Sequence, residues 1–240
     1  FLYGTASLGG ANGRGTVFRI GSDGSGFQVL HTFSATTADT TTGQLENTDG
    51  ALPQAGLVDG GDGYFYGVTT VGGTEGLGVL FAISPDGATF TVLRHFDGPS
   101  GARPSAELLL GDDGKLYGTA SAGGETSSGT ASTLGTLFAI DRVAAGGSFA
   151  RLHSFDGAVG TTPGSRLVQL GDADFVGTLA GGGVCGNGAI YRYSGAGASY
   201  EGSDRCGRSG NNNNDGGGHG GPVLVLLLGS LAWLRRRKMT

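Results

Sequence analysis

The stretch Gly114–Gly124, "GKLYGTASAGG", decides the fold, because the chain repeats it. Residues 1–10 read "FLYGTASLGG", Tyr64–Gly73 read "YFYGVTTVGG", and Asp174–Gly183 carry the worn form "DFVGTLAGGG". Tyr3, Tyr66, Tyr117 and, substituted, Val176 are the first anchors. A second phrase follows each: "GTVFRI" with Phe18, "GVLFAI" with Phe81, "GTLFAI" with Phe138, "GAIYRY" with Tyr191. The offsets between the two sets of anchors are 15, 15, 21 and 15 residues. A third phrase, "FQVLHTF", "FTVLRHF" or "FARLHSF", ends at Phe33, Phe96 and Phe155. A fourth is led by Pro53, Pro104 or Pro163, always 13 residues before the next first anchor.

Constant offsets, with length changes confined to two joins, imply a fixed structural unit with tolerant loops. The two insertions, "SATTADTTTGQLENTDG" (34–50) and "ETSSGTASTL" (125–134), are rich in Thr, Ser and Gly, as surface loops are. Each phrase is a short aromatic or β-branched run bounded by Gly, Asp or Pro, which predicts a strand. In "FQVLHTF", strict alternation places Phe27, Val29, His31 and Phe33 on one face. "GSDG" (21–24) and "SPDG" (84–87) read as tight hairpin turns. About fourteen strands are readable, grouped as four per roughly 50–60 residues, the period of a propeller blade. The expected fold is therefore all-β: propeller-like tandem repeats of four-stranded antiparallel blades, followed by a short C-terminal apolar helix. Each copy alone leaves a face of its sheet uncovered, so neighbours must cover one another. The Tyr is expected between sheets, and the Gly after it at a close approach or bend.

The pattern "DGAxPxAGL … GYFYGVT … GG … GVLF", carried by Asp49–Leu57, Gly63–Thr69, Gly72–Gly73 and Gly78–Phe81, resembles the bacterial GloVer tandem repeat. The likeness extends over roughly residues 2 to 193 and implies a repeat architecture in exported proteins with varied C-terminal anchors. It implies no reaction. The fourth copy departs from the pattern, with Val176 for the Tyr and "SYEGSDRC" in place of the third phrase.

Three segments follow: a repeat domain over 1–205, a Gly/Asn-rich linker over 206–221, and a basic-ended apolar segment over 222–240. Residue 1 falls inside a repeat, which reads as the C-terminal piece of a longer chain. The apolar run Pro222–Leu234 reaches about 20 Å as a helix, short of a ~30 Å hydrocarbon core. Arg235, Arg236, Arg237 and Lys238 favour the cytoplasmic side. Gly216–Gly218 with Gly220 and Gly221, Val223–Leu234 and the basic end together resemble the GlyGly-CTERM sorting signal, although His219 and Pro222 interrupt its usual run. That resemblance implies a rhombosortase-like membrane protease as partner, with transient anchoring and then a cell-surface or secreted end point.

Of 240 residues, 52 are Gly, and the net charge is −5, which supplies no basic face for nucleic acid. Cys185 and Cys206 favour a disulfide in an exported chain, and free thiols or lipid attachment are the alternatives. Such a bridge would stabilise by roughly 3 kcal/mol in the chain-entropy account. His31, His95 and His153 recur just before the third-phrase Phe, and Arg94 takes the slot of His31 and His153, which favours a packing role over a metal or catalytic ring. The acids in "DGGDG", "GDDG" and "GDAD" suit turns better than a calcium loop. No nucleophile elbow, zinc-protease motif, phosphate loop or other cofactor motif is present. The expectation is a non-enzymatic surface module that binds or displays, its ligand a glycan or a protein. The alternative is a glycan-cleaving propeller, which requires two or more carboxylates converging in one pocket.

Overall fold

The computed structural model describes residues 1–126, 129–142, 148–183, 186–195 and 197–200. These residues belong to one unit, Phe1–Gly202, built of antiparallel strands, with no helix among the described residues. Cys185, Cys206, the linker and the whole C-terminal segment, including the expected helix, lie outside the described residues.

Sheet 1 holds β1 (Leu2–Ala6), β2 (Thr16–Ile20) and β3 (Gln28–Thr32), paired in that order. The 34–50 insertion forms its own hairpin, β4 (Thr37–Ala38) with β5 (Leu45–Glu46). Sheet 2 holds β6 (Val58–Asp59), β7 (Phe65–Thr69), β8 (Val79–Ile83) and β9 (Phe90–His95). Sheet 3 repeats it as β10 (Leu109–Leu110), β11 (Leu116–Ala120), β12 (Thr136–Ile140) and β13 (Phe149–Ser154). Sheet 4 holds β14 (Thr161–Pro163), β15 (Val168–Gly171), β16 (Asp174–Gly181), β17 (Ala189–Ser194) and β18 (Gly197–Tyr200).

A four-stranded plan thus holds in sheets 2 and 3, whereas sheet 1 has three strands and sheet 4 has five. The position equivalent to β6 falls before residue 1 in sheet 1. The fifth strand of sheet 4 extends a contact that the other copies make as a single bridge: Thr161 pairs with Gly181 where Ala51 pairs with Val71 and Ala102 with Ala122. β18 corrects the expectation that the fourth copy had lost its third phrase. Its Phe pattern is gone, yet Gly197–Tyr200 still completes the ladder on β17.

The tyrosine anchors occupy equivalent places on β1, β7 and β11, and Phe18, Phe81, Phe138 and Tyr191 on β2, β8, β12 and β17. The Gly after each first anchor pairs in register with the second anchor: Gly4 with Phe18, Gly67 with Phe81, Gly118 with Phe138, and Gly177, after Val176, with Tyr191. The ring lies across the bare glycine. A Cβ on Gly67 would stand 2.6 Å from Phe81 Cζ, and one on Gly118 would stand 2.5 Å from Phe138 Cζ. An aromatic covering a strand glycine restores the packing that the missing side chain gives up.

Successive sheets pack face to face. β8 and β12 are buried along their full length, because each has a neighbour on both sides. Val79, Phe81 and Ile83 meet Val17 and Phe33 of sheet 1, while Leu80 and Ala82 meet Phe138 and Ile140 of sheet 3. Leu137 and Ala139 in turn meet Phe175, Leu179, Tyr191 and Tyr193 of sheet 4. We call the side toward the preceding sheet the leading face and the other the trailing face.

The third strand departs from strict alternation. A register shift falls just before the second anchor in three copies, between Val17 and Phe18, Leu80 and Phe81, and Leu137 and Phe138. Phe18 pairs with Val29 but Val17 with His31, so one residue of β3 is extra and the phase flips. Phe27 and Val29 therefore lie on the leading face, while His31 turns to the trailing face and stacks on Phe90 at 3.7 Å. Arg94 occupies the same place over Phe149, 4.7 Å from its centroid. The slot shared by His31 and Arg94 is a flat cation-capable group resting on the next sheet's Phe.

One pair of positions changes together along the chain. A Cβ on Gly111 would lie 2.6 Å from Tyr117 Cε2, and one on Gly60 would collide with Tyr66 in the same way. In the fourth copy, where the Tyr is Val176, the glycine position is Leu170. Gly111 does not need a positive φ, so the ring alone keeps it small. Gly111→Leu should lower the melting midpoint sharply, and Gly111→Leu with Tyr117→Val should cost less than the two single changes added. A thermal or urea double-mutant cycle should return a coupling of about 0.5–3 kcal/mol, the range for residues in contact.

Candidate functional site

The first-to-second-strand turns of sheets 2 and 3 and the third turn of sheet 3 gather at one end of the stack. They line an open cleft of about 380 Å³ formed by Asp62, Asp113, Gly114, Lys115, Asp141 and Arg142. Each acid is placed by local turn chemistry. Asp62 Oδ1 accepts from the Tyr64 N–H at 3.2 Å, and Asp113 Oδ1 from the Lys115 N–H at 3.0 Å. The remaining oxygen of each receives the anchor phenol four residues on: Tyr66 to Asp62 at 2.6 Å, Tyr117 to Asp113 at 2.8 Å.

Arg142 ties the two sheets together. Its Nε donates to the Gly114 carbonyl at 2.6 Å, its Nη1 donates to the Gly60 carbonyl, and its own carbonyl lies against the Tyr66 hydroxyl, whose single proton is shared between this oxygen and Asp62. Lys115 and Asp141 form an ion pair, and Ser148 Oγ donates to Asp141 at 2.9 Å. Lys115 and then Ser148 hold the Asp141 carboxyl below its usual range, and the pairing raises Lys115. Burial first, and the Asp113 carboxylate second, push the Tyr117 phenol up to about 12. Burial and Asp62 raise Tyr66 in the same sense.

Three carboxylates therefore do converge, yet each holds the scaffold. Asp62 and Asp113 anchor the two tyrosines, and Asp141 is an ionised partner of Lys115, the opposite of a group kept protonated for acid catalysis. Among the described residues, no group of three or more His, Cys, Asp or Glu is placed to hold a metal ion.

A second polar cluster sits at the other end of the sheets. Asp49 Oδ2 lies 3.0 Å from His31 Nε2 and accepts from the Ser34 N–H at 3.0 Å and the Ser34 hydroxyl at 3.1 Å. Burial alone would raise the Asp49 carboxyl, but His31 and Ser34 outweigh it and hold it low. Ser, His and Asp together suggest a hydrolase triad, but the hydroxyl serves the carboxylate and the imidazole is clamped against Phe90. The serine hydroxyl points to the carboxylate and makes no hydrogen bond to the imidazole, and the cluster closes the loop that leads into sheet 2. His153, at the equivalent position in sheet 3, is lowered by burial, and its ring meets Phe155 edge-on at 4.9 Å.

The sequence singled out the anchors, and the structure places Tyr66 and Tyr117 at the cleft through their hydroxyls. Tyr3 instead stacks on Phe65 at 4.1 Å. Phe18, Phe81, Phe138 and Tyr191 belong to the sheets and not to the cleft. Arg142 went unnoticed, for it follows "FAI" in one copy only. The Asp–Tyr spacing of four residues is the available signal, since Asp62 and Asp113 both keep it, whereas Asp172 is followed by Val176.

Stacked sheets joined by one recurrent loop design, with turns gathered at each end, define a tandem-repeat β protein. The chain belongs to the Gloeobacter/Verrucomicrobia repeat family, whose sequence model matches residues 1–130 and 37–204. No curated protein matches the chain.

Because the folded chain holds the Tyr117 proton more tightly than the ordinary value of 10.0, this group's stabilisation is complete below pH 10 and lost as pH rises through about 12. Spectrophotometric titration should show a late phenolate step. Asp113→Asn should bring that step earlier, by removing the carboxylate that repels the phenolate, while burial keeps part of the shift.

Proposed function

We propose that this chain is a non-enzymatic, exported repeat module, propeller-like in form, that is displayed at the bacterial cell surface and binds a glycan or protein through its turn-lined end. The observation that carries the reading is the state of the cleft. Its carboxylates are committed to the Tyr66, Tyr117 and Lys115 partnerships, so the turns present a fixed polar surface. A rigid scaffold offering variable turns is a common basis for recognition. The four-sheet stack, with short first strands, is consistent with blades around an axis. Convergence of Asp62, Asp113 and Asp141 is the observation favouring the second reading, a glycan-cleaving enzyme.

These readings separate on one preparation. Immobilised cell-envelope polysaccharide and envelope protein are offered to the chain, and retained protein and released reducing ends are both measured. Binding without release, weakened several-fold by Lys115→Glu, supports the module. Release that disappears in Asp141→Asn makes it an enzyme.

The export reading rests on the tail. An apolar run too short to span comfortably, ending in Arg235, Arg236, Arg237 and Lys238, suits a transient anchor for a rhombosortase-like protease better than a permanent one. The mature surface protein should lack the segment from about Pro222 onward, and replacing the three arginines by Glu should block processing. C-terminal peptides from hosts with and without the protease decide this; intact Lys238–Thr240 recovered equally from both means an ordinary membrane anchor. Cys185 and Cys206 should be joined in exported material, as non-reducing mass spectrometry reads directly.

A further inference from the structure

The loop 72–78, between β7 and β8, ties three parts of the molecule together at the end away from the cleft. Asn47 of the insertion clasps Gly73 from both sides: its Oδ1 accepts from the Gly73 N–H at 3.0 Å, and its backbone N–H donates to the Gly73 carbonyl at 3.2 Å. The Leu77 carbonyl accepts from Arg103 at the join to sheet 3, and the Gly78 carbonyl accepts from Phe96 at the end of β9. Thr74, between these ties, is held by a side chain, for its N–H donates to Nδ1 of the half-buried His95 at 3.2 Å. The same slot recurs. In sheet 3, Ser154 stands one residue before Phe155, and its Oγ accepts from the Glu125 N–H at 3.1 Å. Sheet 1 has Thr32 in that place before Phe33. Of these three sheets, only sheet 2 fills the slot with a group that titrates near neutral pH. An imidazole nitrogen accepts only when it carries no proton, so the bond to Thr74 fixes the ring as the neutral form with its proton on Nε2.

We propose that His95 is an acid-released latch on the loop 72–78. Protonation places an N–H on Nδ1 that faces the Thr74 N–H, two donors with no acceptor between them, and the ring must turn away. Thr74 then loses its partner, and the loop loosens beneath the insertion and beside the join to sheet 3. The surroundings favour the neutral ring: burial first, and the Arg94 charge second, hold His95 below its ordinary value of 6.5. Arg94 lies beside it on β9, paired with Asp97 at 2.7 Å. β8, which His95 meets through Val79, carries no ionisable side chain. The other charges on the segments meeting at the loop are Glu75 within it, Asp39, Glu46 and Asp49 on the insertion, and Arg103 at the join. Because the folded chain binds this proton less tightly than the unfolded one, the latch contributes fully above pH 6.5 and is lost as pH falls below it. The device goes beyond the binding role and does not depend on it.

The test uses the full 240-residue chain and its His95→Ser variant, which installs the acceptor that sheet 3 already uses. In the parent at neutral pH, long-range proton–nitrogen correlation of the ring should show the proton on Nε2 and none on Nδ1. Between about pH 7.5 and about pH 5, hydrogen exchange at the Thr74 amide, corrected for its intrinsic rate, should lose protection in the parent. The loss should be roughly three- to tenfold, the worth of one net hydrogen bond, and His95→Ser should hold level. Its midpoint should coincide with the titration of His95 itself, read from the ring shifts of the parent, so the result stands even if the variant folds poorly. A proton on Nδ1 at neutral pH overturns the proposal. So does protection at Thr74 that is unchanged by acid in the parent, or lost equally in parent and variant, which would place the acid response elsewhere.

Discussion

The ring of Phe81 lying over Gly67 is the contact on which the rest of the architecture turns. A strand glycine is weak on its own, offering no side chain and excess backbone freedom. Here its bareness lets the phenyl ring drop flat across the strand, where it both fills the gap and forms the leading face. The same exchange recurs at Gly4, Gly118 and Gly177. Flattened rings let the preceding sheet approach, so Phe33 meets Phe81 edge-on at 5.6 Å and Phe96 meets Phe138 at 5.3 Å. Removing such a buried ring typically costs about 3–5 kcal/mol. In this stack the loss would fall on two sheets together.

Stacking alone would allow sheets to slide, and the joins prevent it. The residue before each lead proline, Leu52, Arg103 and Thr162, has φ of 56°, 56° and 60°. Proline disfavours compact conformations in its predecessor, and a left-handed non-glycine residue costs of order 1–3 kcal/mol. The strain is offset by bonds that cross between sheets. The N–H groups of Leu52, Arg103 and Thr162 donate to Arg14, Leu77 and Leu134 in the loop of the preceding sheet. The next residue in each loop, Gly15, Gly78 or Gly135, accepts from Phe33, Phe96 or Phe155. Identical strain at three joins marks it as part of the repeat design and not of a single active site.

Much of this was legible, because equal spacing between unlike residues carries structural information that composition does not. Tyr-Gly followed by Phe, 15 residues later in the first two copies and 21 in the third, points to two paired strands per copy, and the constant 13 residues from each lead Pro to the next first anchor mark the join between copies. What escaped depends on contacts that sequence order hides. Alternation in "FQVLHTF" gave the wrong face for His31, because a bulge opposite Phe18 is a property of the pair of strands. β18 was missed since a ladder needs backbone, and "GASY" has no aromatic pattern to announce it. Arg142 was missed because its partners Gly60 and Gly114 are carbonyls in turns far off in sequence.

The same contrast separates repeated from individual residues at the cleft. Asp62 and Asp113 are repeat positions, tied to repeat tyrosines in sheets 2 and 3, so they belong to the shared unit of those two copies. Lys115, Asp141 and Arg142 are not: their counterparts in sheet 2 are Tyr64, Ser84 and Pro85. The individual character of this end of the molecule therefore sits in those three residues, on turns that the stack holds still. Arg142 also locks the turns of sheets 2 and 3 to each other, so its change would alter shape as well as charge. Lys115 and Asp141 are about one-third to two-fifths exposed, and among the described residues their side chains pair with each other and, for Asp141, with Ser148. A ligand that competes for that pair would meet a surface ion pair, which is weak in water and readily exchanged for other partners. The proposed binding role consequently has a small physical address, on the turns and not in the repeated phrase.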